Sequence, residues 1–150
     1  MLRISKLADY GTVIMNYLAL HPEGVFSAAQ IAQHTHVTAP TVSKLLKLLL
    51  EAGLVYSVRG AEGGYRLSSP AEEISLIQVI SAIDGSPNLT ECCTPSSLCA
   101  QEAVCGVKSN WQAINHFIMN LLEGLSIADM ARPLSLSAWM SRHKALKYAE

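Results

Sequence analysis

The sequence contains no apolar run that approaches the roughly 18 to 20 residues needed to cross a membrane. Its start, MLRISKLADYG, lacks the apolar segment and the small-residue cleavage pattern of a secretory signal. It also has no Gly-Lys-Ser/Thr phosphate loop, no nucleophile elbow and no apparent base–nucleophile pair. We therefore expect a cytoplasmic protein that binds no membrane and no small-molecule substrate and is not an enzyme.

Strong charge of either sign is also missing, since the net charge is only −1. That value hides an asymmetry, because residues 1–66 carry +2 and residues 67–150 carry −3. A mildly basic head with an acidic remainder fits nucleic-acid binding but is too weak to establish it. A length of 150 residues fits one modest domain, or a small domain with an oligomerisation arm.

The chain is organised around a helix followed by a hairpin, between Thr38 and Leu67. The helix has an apolar stripe at the spacing of an amphipathic helix, formed by Val42, Leu45, Leu46 and Leu49. We expect Thr38 to be its N-cap, with Pro40 in the first turn and Gly53 just beyond its end. The opposite face presents small and basic residues that suit a DNA groove, namely Pro40, Ser43, Lys44 and Lys47.

The hairpin is predicted from two short β-prone segments, residues 54–58 and 65–67, with three glycines in the turn between them. Before the central helix, an apolar stripe from Ile4 to Leu18 predicts a long helix that ends at His21-Pro22-Glu23-Gly24. Ser27 is expected to cap a short helix through Gln33. This order predicts a mainly α fold with a small β-wing, a winged helix-turn-helix.

All four cysteines lie in one polar loop, which follows a predicted helix over residues 74–83: Cys92, Cys93, Cys99 and Cys105. Disulfides would require an oxidising compartment, and buried structural thiols would be scattered along apolar stripes. Zinc usually shows a C-x2-C pair, which is absent here. The wider spacing favours an iron–sulfur cluster with a fourth ligand from elsewhere, while zinc and a thiol redox switch stay open.

A second long helix is predicted after this loop and ends at Gly124, with its apolar stripe formed by Trp111, Ile114, Ile118, Leu121, Leu122 and Leu125. We expect this stripe to pair with a second copy of the chain, the alternative being that it folds back on its own head. A short helix from Ile127 to Ala131 follows, capped by Ser126. The rest is either a loose tail or a last helix from Ser137 to Tyr148.

These segments resemble the bacterial Rrf family of winged-helix iron–sulfur regulators, which includes the IscR and NsrR types and the regulators of SUF operons. The resemblance covers Met1 to about Ala131 and is carried by RISKLADYG, GLVYSVRGAEGGYRLS, ISLIQVISAIDG, the cysteine loop and LSIADMA. The NLTEC and SNWQAIN segments are most similar to SUF-system regulators. The resemblance implies a DNA-binding head at 1–86, a cluster loop at 87–106, a dimerisation helix and cap helix at 107–131, and a tail at 132–150.

The resemblance also implies which residues contact DNA. The helix from Ala39 to Ala52 would be the recognition helix, and Arg59 would enter the minor groove. Lys44 and Lys47 are expected mainly on phosphates, whereas Ser43, Thr41 and Arg59 are candidates for sequence readout. The full predicted set is Thr38, Pro40, Thr41, Ser43, Lys44, Lys47, Arg59 and Gly60.

For the cluster, the resemblance implies ligation by Cys92, Cys99 and Cys105, with Cys93 as a spare or alternative ligand. Some family members use a His as a ligand at the position that Lys108 occupies in this chain. A lysine ammonium has no free lone pair, so Lys108 cannot be that ligand. Others carry a carboxylate near the start of the first helix and donate it across the dimer, and Asp9 occupies that position. A 2Fe–2S cluster is preferred, with 4Fe–4S as the alternative.

The predicted function is that of a homodimeric transcription regulator that binds a pseudo-palindromic double-stranded DNA operator under the control of an iron–sulfur cluster. Genes of SUF-type cluster assembly are the expected targets, with repression as the working expectation. The alternative is a metal-free thiol redox sensor, in which Cys92 or Cys93 pairs with Cys99, or a nitric-oxide sensor.

Overall fold

The computed structural model describes residues 4–94, 99–101 and 103–142. In these residues helices predominate and two strands form a small antiparallel sheet, which confirms the mainly α winged helix-turn-helix class. The elements are α1 (Lys6–Leu20), α2 (Ala28–Thr35), α3 (Ala39–Glu51), β1 (Val55–Val58), β2 (Gly64–Leu67), α4 (Leu76–Asp84), a short 3₁₀ turn (Glu91–Cys93), α5 (Lys108–Gly124), α6 (Ile127–Met130) and α7 (Leu136–Arg142). No helix of the described ranges is long and apolar enough to span a membrane.

The core of the head joins the apolar faces of α1, α3 and α4 with β1 and α6. Its largest fully buried members include Ile14, Met15, Leu18, Ile31, Leu45, Leu46, Leu49 and Ile127. The predicted stripe of α1 is therefore the buried face, except at its start. Ile4 lies before α1 and is 51% exposed, so its inclusion in that stripe was wrong. The helix begins only at Lys6, after the Ser5 cap, and the helical period does not extend back to Ile4.

The helix-turn-helix consists of α2, a three-residue turn and α3. Ser27 caps α2 in a capping box with Gln30, and the helix runs two residues beyond the predicted Gln33. His36 ends it in the left-handed conformation with φ of 56°, a region that side chains other than glycine rarely occupy. The reversal at His36 turns the chain so that α3 can pack its leucines against α1.

The wing pairs β1 with β2, with Val55 opposite Leu67. A third piece of chain completes it, because Phe26 and Tyr65 exchange backbone hydrogen bonds of 3.1 and 2.8 Å. Gly64 permits this pairing, since a Cβ there would collide with the backbone of Phe26. The wing is thus fastened to the segment before α2, a contact that the sequence pattern did not reveal.

The second half of the chain rejoins the head beside α4. The Leu76 N–H donates to the Leu125 carbonyl at 2.7 Å, and the Ile127 N–H donates to the Ile74 carbonyl at 2.8 Å. Ser75 and Ser126 face each other in this bridge, and each begins a helix with a capping box. The segment that contains the cysteine loop and α5 therefore leaves the head and rejoins it at this same bridge.

The tail forms a helix in its described part. Here α7 begins at Leu136, one residue before the predicted Ser137, and Trp139 is fully buried in a second apolar cluster with Leu76, Ile80 and Leu125. Residues 143–150, which include the predicted end at Tyr148, lie outside the described residues.

Candidate functional site

The outward face of α3 carries the small and basic residues that the sequence predicted. Ser43, Lys44 and Lys47 are exposed, while the leucines on the other face are fully buried. The Lys47 ammonium lies 3.9 Å from a Glu51 carboxylate oxygen, but both side chains are more than half exposed, so this pair is weak. The face therefore offers two positive charges and small polar groups to a partner.

Thr38 occupies the N-cap position, but its expected capping hydrogen bond is absent. Its hydroxyl instead lies 2.8 Å from the Thr41 hydroxyl. The two hydroxyl groups form a small polar pair at the tip of the helix, beside the exposed Pro40. The backbone N–H groups of the first turn consequently lack a side-chain cap from Thr38, as suits a helix end that meets an anion.

The wing places Arg59 and Gly60 at the end of β1, where both are exposed. Gly60 has φ of 127°, so this point of the turn favours glycine. Gly63 is also needed there, because a Cβ would meet the carbonyl oxygen of Val58. The turn therefore presents Arg59 to solvent directly after β1, the strand that contacts α3.

The first part of the cysteine loop packs against α5, which follows the loop in the chain. Polar side chains of that helix hold the loop in place. Asn115 accepts a hydrogen bond from the Leu89 N–H at 2.9 Å, and the Gln112 amide donates to the Cys92 carbonyl at 3.3 Å. These contacts were not predicted, although both residues stand in the SNWQAIN segment. The signal was a pair of amide side chains three positions apart, a spacing that places both on one face of the helix.

Within the loop, Cys92 and Cys93 present their sulfurs to one hydroxyl group. Thr90 Oγ1 lies 3.1 Å from Cys92 Sγ and 3.2 Å from Cys93 Sγ. Cys93 Sγ is also 3.6 Å from the Trp111 carbonyl, so it faces α5. All four cysteines are free thiols and half-buried.

The structure does not bring the predicted ligands together within one chain. In the described ranges, no three His, Cys, Asp or Glu side chains lie close enough to hold a metal ion. Cys99 directly follows residues 95–98, and Cys105 lies three residues after Glu102. Neither residues 95–98 nor Glu102 belongs to the described part of the chain. Free, half-buried thiols in one loop nevertheless form a donor set that suits iron and sulfide. The ligand assignment stays a prediction.

Asp9 lies in the first turn of α1 and is exposed. It borders an open recess whose apolar lining includes Leu76, Ile80 and Met130. It is remote in sequence from the cysteine loop, and the described contacts do not join it to the loop of its own chain. The role of Asp9 as a ligand for a second subunit stays a prediction.

The apolar residues of α5 are exposed in the N-terminal half of the helix and packed in its C-terminal half. Trp111, Ile114 and Phe117 are 41%, 46% and 45% exposed, and no residue of this helix is fully buried. Leu121 and Leu122 pack against the second cluster on α4, and Ile118 lines a recess with Ile80. The expectation that the whole stripe lacks a partner in the head was therefore wrong for its C-terminal half, because α5 crosses α4 there.

A basic recognition-type helix on a buried leucine face, followed by an arginine-bearing wing, defines a winged helix-turn-helix DNA-binding protein. Residues 4–133 match the Rrf2 family model, described as an iron-dependent transcriptional regulator. The chain belongs to the Rrf2 family of winged-helix transcription regulators and is of the IscR type, which confirms the resemblance read from the sequence.

Individual relatives agree with this assignment. The chain is 32% identical to the HTH-type transcriptional regulator IscR of Aliivibrio salmonicida over 130 residues, which cover 86% of this chain and 77% of that protein. It is similar to the structure of CymR, the global cysteine regulator of B. subtilis, with a TM-score of 0.67, 32% identity and coverage of 87% of this chain and 97% of that one. It is also similar to T. potens IscR, with a TM-score of 0.67, 28% identity and coverage of 99% and 93%.

Proposed function

We propose that this transcription regulator is a homodimer whose DNA binding is controlled by an iron–sulfur cluster and that it governs genes of SUF-type cluster assembly. The observation that carries the proposal is the attachment of a loop of free thiols to α5. The same helix exposes an apolar face beside that attachment. The state of the loop can therefore influence how two copies meet, and the IscR relatives support a cluster as the group that the loop binds.

In this proposal, Cys92, Cys99 and Cys105 hold the cluster, and Asp9 of the partner subunit completes the ligand set. The cluster supplies a group that is sensitive to oxygen and to the supply of iron and sulfide. A carboxylate is a harder ligand than a thiolate and binds such iron more weakly. Asp9 therefore makes the site labile, and its release from the loop of the other subunit frees α1 to shift relative to α5.

On DNA, the α3 helices of the two subunits enter successive major grooves about one helical turn apart. Lys44 and Lys47 supply phosphate contacts, and the Thr41 and Ser43 hydroxyls face the base edges. Arg59 reaches the adjacent minor groove from the wing. Repression follows where the site overlaps a promoter.

The test is anaerobic purification, followed by visible spectroscopy, native mass spectrometry and operator binding before and after exposure to air. The parent should show a chromophore, a dimer mass with bound cluster, and a change in operator affinity when the chromophore is lost. Cys99→Ala should abolish the chromophore, and its matched control Cys93→Ala should retain it. A parent that stays colourless after reconstitution with iron and sulfide would exclude cluster control. Selection of bound genomic fragments then shows whether cluster-assembly promoters are recovered.

A second candidate function is thiol redox sensing without a metal. Cys92 and Cys93 face one hydroxyl, and the similarity to CymR structures, one of which is an oxidised form, favours this reading. Oxidation by hydrogen peroxide would convert two thiols to a disulfide and the hydrogen peroxide to two waters, with Cys92 or Cys93 joined to Cys99. A colourless parent whose operator affinity changes with peroxide and recovers with dithiothreitol would support this function. Nitric-oxide sensing, in contrast, would require a chromophore that nitric oxide bleaches.

A further inference from the structure

Ser5 and Asp84 join the start of α1 to the end of α4. The Ser5 hydroxyl donates to Asp84 Oδ1 at 2.7 Å, and the Ser5 N–H donates to Asp84 Oδ2 at 3.3 Å. The same hydroxyl oxygen accepts from the Ala8 N–H at 3.0 Å, so it caps α1 while Asp84 holds it. One carboxylate therefore fixes both the position and the capping of the first turn of α1.

That first turn carries Asp9. The Asp9 N–H donates to the Ser5 carbonyl at 3.0 Å, so the backbone of Asp9 is attached to the residue that Asp84 holds. The exposed Asp9 carboxylate has no hydrogen-bond or ion-pair partner in the described part of the chain. Within residues 4–94, 99–101 and 103–142, no polar contact orients this side chain, so its direction there depends on the backbone of the turn.

Asp84 also ends the helix that leads into the cysteine loop. Gly85 follows it with φ of 80°, and seven residues separate Asp84 from Cys92. In that interval the Leu89 N–H is bonded to Asn115 of α5. Asp84 therefore lies between the start of α1 and the first part of the cysteine loop, which Asn115 holds in place.

The contact is exposed, which argues against a role in global stability. Hydrogen bonds and ion pairs between solvent-exposed groups contribute little to the free energy of unfolding. The close packing of Gly11 on Ile83 already secures α1 against α4 farther along the helix. A bond at the very start of α1 controls instead the orientation of a turn that would otherwise fray.

We propose that Asp84 is a positioning residue for the cluster, which acts through Ser5 to hold the first turn of α1 so that Asp9 is presented to the partner's cysteine loop. The inference rests on the proposed function, since it requires Asp9 to be a ligand. Asp84 itself does not touch the cluster. Its effect is to restrict the directions that the Asp9 carboxylate samples before it binds.

The test measures how long the visible chromophore of the full-length protein survives in air after anaerobic reconstitution. Asp84→Ala should shorten the lifetime about three- to tenfold, as expected for the loss of one orienting hydrogen-bonded pair. Asp84→Asn keeps an oxygen that can accept from the Ser5 hydroxyl and should restore part of the lifetime. Glu73→Ala is the matched control, because it removes an exposed carboxylate near the opposite end of α4 and should change nothing.

The decisive comparison uses the Asp9→Ala background, in which Asp84→Ala should change the lifetime no further. An equal shortening in both backgrounds would show that Asp84 acts without Asp9 and would overturn the inference. In cluster-free protein, Asp84→Ala should also speed amide exchange at Ala8 and Asp9. Faster amide exchange with an unchanged chromophore lifetime would mean that Asp84 only stabilises the first turn of α1, which would also overturn the inference. A parent without any chromophore would remove the proposed function itself, and an Asp9→Ala variant with the parent lifetime would remove Asp9 from the ligand set.

Discussion

Gly64 and Gly11 are two positions where the absence of a Cβ allows close approach, and they differ in what approaches. At Gly64 the neighbour is the backbone of Phe26, which cannot move without breaking the pairing with Tyr65. At Gly11 the neighbour is the tip of the Ile83 side chain, which can rotate. The same substitution should therefore have different costs at the two sites.

We predict that Gly64→Ala lowers the free energy of unfolding by about 1 to 3 kcal/mol, the usual cost of forcing atoms into a filled space. Gly11→Ala should stay within about 1 kcal/mol of the parent, because the gain in helix propensity offsets the shift of Ile83. Urea unfolding of the two variants measures both values. Equal costs would mean that the wing is not fastened at Phe26.

The charged residues of the head allow a test of DNA contacts. Lys47→Ala should weaken binding to all sequences alike and lower the salt slope by about one unit, as for the loss of one phosphate contact. Glu51→Ala is its control, since it removes the acid that lies 3.9 Å from Lys47 and should strengthen binding. Fluorescence anisotropy over a range of salt concentrations gives the slopes. An unaltered slope for Lys47→Ala would place α3 away from the DNA backbone.

Arg59→Ala should behave differently from the lysine variant. If Arg59 enters the minor groove, its loss should cost about 1 to 3 kcal/mol of operator binding and relax the preference at an A/T-rich flank. Competition between operators with altered flanks measures this preference. A loss of affinity that is identical for every flank would make Arg59 a phosphate contact instead.

Among the elements, α5 offers a test of self-association. Ile114 is exposed on the face with Trp111 and Phe117, so Ile114→Glu should convert a dimer into a monomer without reducing the stability of the head. Ile118→Glu should in addition destabilise the fold, because Ile118 lines the recess against Ile80 of its own chain. Sedimentation and urea unfolding separate the two effects. A dimer that survives Ile114→Glu would exclude this face as the interface.

The elements also show what could be read from the sequence. Helices α1 to α6 were predicted because burial of one face imposes a local period, and Ser27 and Ser126 were predicted as caps because their partners lie three residues away. Contacts between distant residues leave no such period. The pairing of Phe26 with Tyr65, the bond from Ser5 to Asp84 and the hold of Gln112 on Cys92 were all missed for this reason.

The candidate site, like the fold, was predicted only in part. The outward face of α3 follows from its stripe, since residues that are not buried in an amphipathic helix must face outward. The Thr38–Thr41 pair did not follow, because a hydroxyl at an N-cap has several acceptors within reach. The ligand set stays a prediction, because sulfurs in an irregular loop and residues of a second subunit leave no periodic pattern in a single sequence.

For the molecule as a whole, the tail is a structural part of the protein. Trp139 is fully buried against residues of α4 and the end of α5, so Trp139→Ala should lower the free energy of unfolding by about 3 to 5 kcal/mol. Met140→Ala is its neighbour and control, because Met140 is 46% exposed and should have little effect. Thermal or urea unfolding tests both. A stability equal to the parent for Trp139→Ala would show that α7 does not dock in solution.

The backbone bridge that joins residues 74–76 to 125–127 bears on how the protein would respond to a protease. A cut within the cysteine loop would leave two fragments that are still joined by these hydrogen bonds and by the packing of Leu76, Leu125 and Trp139. The nicked chain would keep its mass in gel filtration and its DNA-binding head. A cut between Cys93 and Cys99 would leave two thiols on each fragment, so under the proposed function it would disrupt the cluster site while the head stays assembled.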